Sequence, residues 1–305
     1  LGITLKGLGN LECAEASYGR AIALRQNFVE AYNNLGVTLR ELGKPEKAEE
    51  AFRQALSLKP YFAEAIYNLG VLLHDCGQYE EASALFERVK SNKSSLYLLK
   101  CLYNMSNSQR FYEQLDLLID QGEVNPTLGS LTARANIKFN IRKKNIFAEN
   151  PFKYVVKRDL IKHTDFKKVF INPVKNILKE EAISYRSQAL LKKGKQTAGN
   201  LFSKKTAQID MMKRTIIAEI DTYKSQFKDR NEGFLVNWPS QYDLYGWLIN
   251  MKSGGELAPH MHETGWVSGA VYINVPEKKQ LNSGDFAVCI DGFASKNASR
   301  KTNMK

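Results

Sequence analysis

The chain has 305 residues, 43% of them apolar, and a net charge of +12 at pH 7, which fits two ordinary globular domains better than one. No apolar run approaches the ~18–20 residues that a helix needs to span a bilayer. Four widely spaced cysteines, Cys13, Cys76, Cys101 and Cys289, form no CxxC pair; they argue against a disulfide framework and are expected as buried free thiols in a reducing compartment, the cytoplasm.

The first element in chain order is a repeat. Leu1, Leu35 and Leu69 are in register, and each is followed by a glycine, Gly2, Gly36 or Gly70. Gly9, Gly43 and Gly77 follow in phase, then Ala14, Ala48 and Ala82, then Tyr18, Phe52 and Phe86, a period of 34 residues. This pattern resembles the tetratricopeptide repeat. It predicts two amphipathic helices per unit over 1–90, about two and a half units. Gly36 and Ala48 are expected where the two helices approach closely, Phe52 between one pair and the next, Gly43 as a helix C-cap and Pro60 as a helix stop. Leu1 falls inside a unit, so the chain is expected to be a piece of a longer protein. The resemblance implies an α-solenoid that presents a concave surface to a protein or peptide, with Asn33, Asn34, Asn68, Arg40 and Lys47 as candidate hydrogen-bonding residues. The competing reading is a scaffold that only supports the C-terminal half or pairs two subunits.

Residues 91–149 read as a helical cap or bridge, with 96–119 leucine-rich at helical spacing, a degenerate further repeat. Asn150-Pro151-Phe152 and Asn172-Pro173 favour turns, and the boundary between the halves is placed near Asn150. Helical spacing returns over 177–193, 196–202 reads as a loop, and 209–227 is an amphipathic helix with Ile209, Met212, Ile216, Ile220 and Tyr223 on its apolar face. The positive excess lies between 138 and 228 and in the tail. Aromatics do not alternate with these lysines as on a base-stacking platform, so a solvated surface is preferred over a nucleic-acid face.

From Phe234 the period changes to that of strands. Short extended runs are expected over 234–239, 242–251, 257–262 and 266–275, with turns at 253–255 and 263–265, and one more strand over 286–291. Strands without intervening helices argue for an antiparallel sheet. His260 and His262 share parity in an extended run, so both point to one face, roughly 7 Å apart at Cα. Two imidazoles so placed can converge on a metal ion, although an HxH pair also arises by chance.

The segments QTAGNLF (196–202), NWP (237–239), GWLINMKSGG (246–255), PHMHETGWVSGAVYINVP (259–276) and SGDF (283–286) resemble the 2-oxoglutarate/Fe(II)-dependent oxygenases found behind tetratricopeptide repeats. The resemblance implies that 150–293 is a partial double-stranded β-helix, a jelly-roll-like fold, followed by a polar tail over 294–305. The whole is then multi-domain, α followed by α+β. It further implies Fe(II) as cofactor and 2-oxoglutarate as cosubstrate. His260 is the best metal-ligand candidate, with His262 at the place of the usual carboxylate; Glu263 is the alternative, with opposite parity. Tyr272 resembles a tyrosine that contacts the 2-oxoglutarate carboxylate, and a packed aromatic is its plainer reading.

The superfamily places another histidine and a basic residue further downstream. After His262 this chain has no histidine, and its one later arginine is Arg300. The expectation is therefore an oxygenase fragment with little activity as given. The alternative is a non-catalytic tetratricopeptide adaptor. Nucleic-acid and membrane partners are not expected.

Overall fold

The computed structural model describes residues 1–89, 91–180, 184–186, 190–258, 262, 265–273, 286–288 and 302–304. The chain divides into two compact units, Leu1–Glu123 and Val124–Lys305. The 91–149 stretch is thereby shared between them.

The first unit is an α-solenoid of helix pairs: α1 (Gly2–Gly7) with α2 (Leu11–Leu24), α3 (Val29–Glu41) with α4 (Pro45–Leu58), α5 (Ala63–Asp75) with α6 (Tyr79–Arg88), and α7 (Asn92–Asn104) with α8 (Ser108–Asp120). The helices stop where the backbone turns left-handed. Gly43, at φ +70°, follows the end of α3. There Lys44 N–H donates to Leu39 C=O at 2.9 Å and Gly43 N–H to Arg40 C=O at 3.0 Å. Two otherwise orphaned carbonyls are satisfied, and glycine takes the conformation at little cost. The same double bond closes α7, where Asn107 N–H donates to Leu102 C=O at 3.0 Å. Here the left-handed residue is Ser106, at φ +59°. The fourth pair therefore keeps the turn geometry without its glycine, which is why the repeat fades from the sequence after Val89. Ser106→Gly is expected to raise stability by about 1 kcal/mol by removing the Cβ penalty, read as a higher urea midpoint at unchanged slope.

Within each pair an aromatic ring fills the gap over a helix glycine. A Cβ added at Gly36 would lie 2.6 Å from Phe52, one at Gly70 2.8 Å from Phe86, and one at Gly2 2.7 Å from Tyr18. Phe52 thus packs against its own pair's first helix, whereas the sequence placed it between pairs. Phe86 does both, because its ring also stacks on Tyr97 of α7 at 5.3 Å. Polar groups join successive pairs as well: Asn68 Nδ2 donates to Asn33 Oδ1 at 2.9 Å, Lys44 pairs with Glu15 at 2.7 Å, and Arg53 reaches Glu81 at 2.8 Å. The surface ion pairs are each worth under about 1 kcal/mol. Among the described residues the three thiols are free and Cys101 alone is buried; Cys13 and Cys76 are exposed, against expectation. Cys76 is the C-cap of α5, beyond that helix's buried stripe. Burial pushes the Cys101 thiol up to about 12, so it is inert at neutral pH. Cys289 lies outside the described residues.

The second unit opens with α9 (Pro126–Lys138), capped by Asn125, whose side chain accepts from Leu128 N–H at 3.0 Å. The Asn172-Pro173 step, expected as a turn, is instead helical. Lys167–Ile171 forms a π-turn that runs into α10 (Asn172–Ile177). Asn172 N–H donates to Lys167 C=O, five residues back. The widened turn comes just ahead of Pro173, whose ring cannot supply the next donor. The helix expected over 177–193 ends at Ile177. Beyond it lie β1 (Tyr185–Arg186) and β2 (Leu191–Thr197), followed much later by β3 (Ile249–Leu257), in an antiparallel sheet of order β1-β2-β3. Between β2 and β3 come α11 (Ala207–Gln226) and the short α12 (Gly233–Val236). A small core of Val169, Phe170, Val174, Ile177, Leu201, Ile209 and Met212 sits where α10 and α11 meet.

Several expectations for strands, turns and the tail are corrected, among them the strand over 242–251, which begins only at Ile249. The run over 234–239 begins as α12, because Phe234 is drawn into the core and its N–H donates to Phe147 C=O at 3.0 Å. Tertiary packing overrides its β-propensity. The turn at 253–255 is a bulge inside β3: pairing passes from Lys192↔Glu256 to Gly194↔Met251, with Lys193 at φ +50° and Gly254 at φ +70°. Residues 266–273 show alternation but are not in a strand. In the tail, expected to lack strand pattern, β5 (Thr302–Met304) pairs antiparallel with β4 (Phe286–Val288). Among the described residues no helix is long and apolar enough to cross a membrane.

Candidate functional site

The histidine-bearing segment is reached through β3, and residues 196–202 hold the approach to it. Thr197 and Leu248 exchange two bonds: Leu248 N–H donates to Thr197 Oγ1 and Thr197 N–H to Leu248 C=O, both at 3.0 Å. Asn200 clamps the next two residues, its Oδ1 accepting from Gly246 N–H and its Nδ2 donating to Leu244 C=O, both at 3.0 Å. Leu201 N–H closes on Gly246 C=O at 2.7 Å. Gly246 allows this approach, since a Cβ there would meet Phe202 at 2.5 Å. The segment read as a loop is thus the brace of the site. Gln196 is only 7% exposed, and its side-chain oxygen has no hydrogen-bond partner among the described residues.

Trp247, held by this brace, stacks on His262 with ring centroids 5.1 Å apart and planes 19° apart. That partner was not foreseen; Trp247 lies fifteen positions upstream and no local spacing couples them. After Gly265, whose N–H donates to His262 C=O at 3.0 Å, Trp266 anchors the chain by donating its indole N–H to Phe234 C=O at 2.8 Å. Tyr272 is 52% exposed, and partial burial pushes its phenol above the usual range. The candidates therefore stand apart in what can be said of them. His262 is described and stacked on an indole; Tyr272 is described and lies outside any strand; His260 and Glu263 lie outside the described residues. Among the described residues no group of three or more His, Cys, Asp or Glu side chains could hold a metal ion. Of the candidate ligands only His262 is described, and an imidazole nitrogen is a donor that suits Fe(II).

On the solenoid, α3, α5 and α7 lie side by side as the first helices of their pairs. Of the residues expected to meet a peptide, Asn33 and Asn68 are each other's partners. Lys47 stands on α4, outside the row of first helices. The row carries an aromatic cluster that the sequence reading did not single out: Tyr67 and Tyr97 at 5.8 Å, and His74 at 5.5 Å from Tyr97 and, across to α6, at 5.5 Å from Tyr79.

Comparison with known families agrees with both halves. Tetratricopeptide-repeat family models match residues 29–62 and 51–82, and the family described as "Putative 2OG-Fe(II) oxygenase" matches residues 245–304. The chain thus carries tetratricopeptide repeats and, behind them, a segment that matches part of that putative oxygenase family. Similar solved structures include MamA (41-end) from Desulfovibrio magneticus RS-1, at 19% identity over 46% of this chain and 82% of that one, TM-score 0.44. YrrB, titled a TPR protein with an unusual peptide-binding site, shows 20% identity over 48% and 77%, TM-score 0.43. PilW, titled a widely conserved type IV pilus biogenesis factor, shows 21% identity over 46% and 68%, TM-score 0.41. No curated protein matches the chain.

Proposed function

We propose that this chain belongs to a 2-oxoglutarate/Fe(II)-dependent oxygenase whose repeats recruit a protein. The observation that carries the reading is the family match over 245–304, which spans the histidine pair and Tyr272. His260 and His262 would hold the iron. When bound, the metal supplies activation of O₂ coupled to decarboxylation of 2-oxoglutarate. The chain's own part is narrower. Neutral imidazoles at His260 and His262 would donate lone pairs to the metal, and the Tyr272 phenol, its pKa raised by burial, stays protonated through neutral pH and could donate to a cosubstrate carboxylate. Residues 196–202 keep the preceding strand in place.

The partner is a protein or peptide. The lysine runs do not favour nucleic acid, because several are already engaged: Lys192 with Glu256 at 3.6 Å, Lys204 with Glu180 at 2.6 Å, and Lys195 over the Tyr185 ring at 5.1 Å. Exposed free thiols at Cys13 and Cys76 suit a reducing compartment, and a cytoplasmic location is proposed on that ground.

The 305 residues alone are expected to turn over little 2-oxoglutarate, because no histidine follows His262 to complete the family's ligand set. Succinate formation with Fe(II) and ascorbate tests this: yields near the metal-free blank are expected, and robust turnover abolished by His260→Ala would overturn it. A second reading, a non-catalytic adaptor, is favoured by the stacking of His262 on Trp247. It predicts no metal affinity that depends on the histidine pair.

A further inference from the structure

Trp266 stands four positions past His262. Gly265 N–H donates to His262 C=O at 3.0 Å, so one tight turn joins the two residues. Val267 to Tyr272 are exposed, and the next inward side chain is Ile273, against the core of α10 and α11. Upstream, the last described backbone bond of the sheet is at Ala258, whose N–H donates to Leu190 C=O at 2.8 Å. Among the described residues His262 therefore lies midway between two holds, and Trp266 is the second of them.

Trp266 is seated twice. Its indole N–H donates to Phe234 C=O at 2.8 Å. That carbonyl belongs to the end of α12, where the next two N–H groups go elsewhere: Asn237 to Gly233 C=O and Trp238 to Leu235 C=O. The indole thus fills an acceptor that the helix end leaves open. The ring also meets Phe147 edge-on, with centroids 5.3 Å apart and planes at 74°. Phe147 is itself locked. Asn145, only 8% exposed, donates to Gly129 C=O at 2.8 Å and accepts from Phe147 N–H at 3.1 Å and Ala148 N–H at 3.3 Å. Glu232 takes the far end of this strap by accepting from Glu149 N–H at 2.9 Å. A Cβ at Gly129 would lie 2.5 Å from Phe147 Cβ, and one at Gly233 would strike the Ile146 carbonyl. Residues 145–149 are therefore flush against α9 and α12.

We propose that Trp266 is a positioning residue for His262. It fixes the backbone of the turn that carries the histidine, so that the imidazole has one place to stand, beside the Trp247 indole at 5.1 Å. Phe147, more than a hundred positions upstream, is the seat on which Trp266 is set. Neither side chain touches a metal or cosubstrate in this role. A ligand held by its supporting shell binds more tightly than one that must first be ordered. The consequence for metal rests on the oxygenase reading, whereas the placement of His262 against Trp247 stands without it.

The test uses the full chain with carbon-13 in its histidine rings, which gives four signals for the four histidines. It is run at ~pH 8, where a typical imidazole is neutral. His262→Gln identifies the His262 signal, and Trp247→Leu gives its position without the indole's ring current. In the native chain the signal is expected upfield of that position. Trp266→Phe keeps a ring on Phe147 but loses the N–H, and should remove more than half of the displacement; Phe147→Leu should do the same without altering the turn. Trp238→Phe, at the far side of the cluster against Tyr223, should leave it intact. Urea midpoints near the native value show that these chains are folded. Mn(II) titration then reads the metal: Trp266→Phe should bind about tenfold more weakly, the lower end of what supporting residues contribute. A native signal that coincides with that of Trp247→Leu, an unmoved signal in Trp266→Phe, or equal Mn(II) affinity in the native chain and Trp266→Phe overturns the inference. A signal that moves as expected in a chain that binds no Mn(II) upholds the placement of His262 and overturns the oxygenase reading instead.

Discussion

Phe52→Ala is expected to destabilise the solenoid unit by about 3–5 kcal/mol, the range for emptying a fully buried aromatic site. Phe52 has no exposed surface, and its ring lies in the gap that Gly36 leaves by having no side chain. Neither helix can close on the vacancy cheaply. α3 is fixed by its C-terminal turn at Gly43, and α4 by the buried Ala48 and Ala55 on either side of the ring. Gly36→Ala should destabilise by the opposite route, since the new methyl would meet the ring at 2.6 Å. Urea unfolding followed by helical circular dichroism measures both. A loss below about 1 kcal/mol for Phe52→Ala would mean that the ring is not what holds the pair together.

The second large effect concerns metal. If His260 and His262 are ligands, the double alanine variant should lose Mn(II) or Fe(II) binding altogether, and each single variant should weaken it by more than the roughly 10–100-fold typical of supporting residues. Titration calorimetry reads the affinity. The stacking of His262 on Trp247 at 5.1 Å provides a second signal. An imidazole recruited to a metal must leave or reorient against the indole, so binding should change tryptophan emission, and Trp247→Phe should remove that change without removing the heat. Heat of binding that survives the double alanine variant would place the metal elsewhere.

The repeats were legible because their constraints are local and recur. A left-handed turn at Gly9, Gly43 and Gly77, and an aromatic sixteen positions after Gly2, Gly36 and Gly70, reappear in each unit. The fourth pair was harder to read because Ser106 stands in for the turn glycine. In the second unit the deciding partners are distant in sequence. Leu190 and Leu191 have helical spacing with Ile177, but β2 is fixed by pairing with β3, more than fifty residues on. Phe234 reads as a strand residue until Phe147 and Tyr154 pack against it at 5.7 and 4.9 Å. At the site, the histidines were visible as a motif, while the indole beside His262 and the brace from Thr197 and Asn200 depend on tertiary structure alone.

Burial is graded along the solenoid. α1 buries only Gly2 and α2 only Ala14 and Tyr18, whereas α5 buries seven residues from Ala65 to Leu73. Helix pairs pack on their sequence neighbours, so the unit behaves as a one-dimensional lattice in which α5 is the most deeply buried element among the described residues. Local opening is then costliest at α5, whose amides are expected to exchange most slowly of the solenoid's.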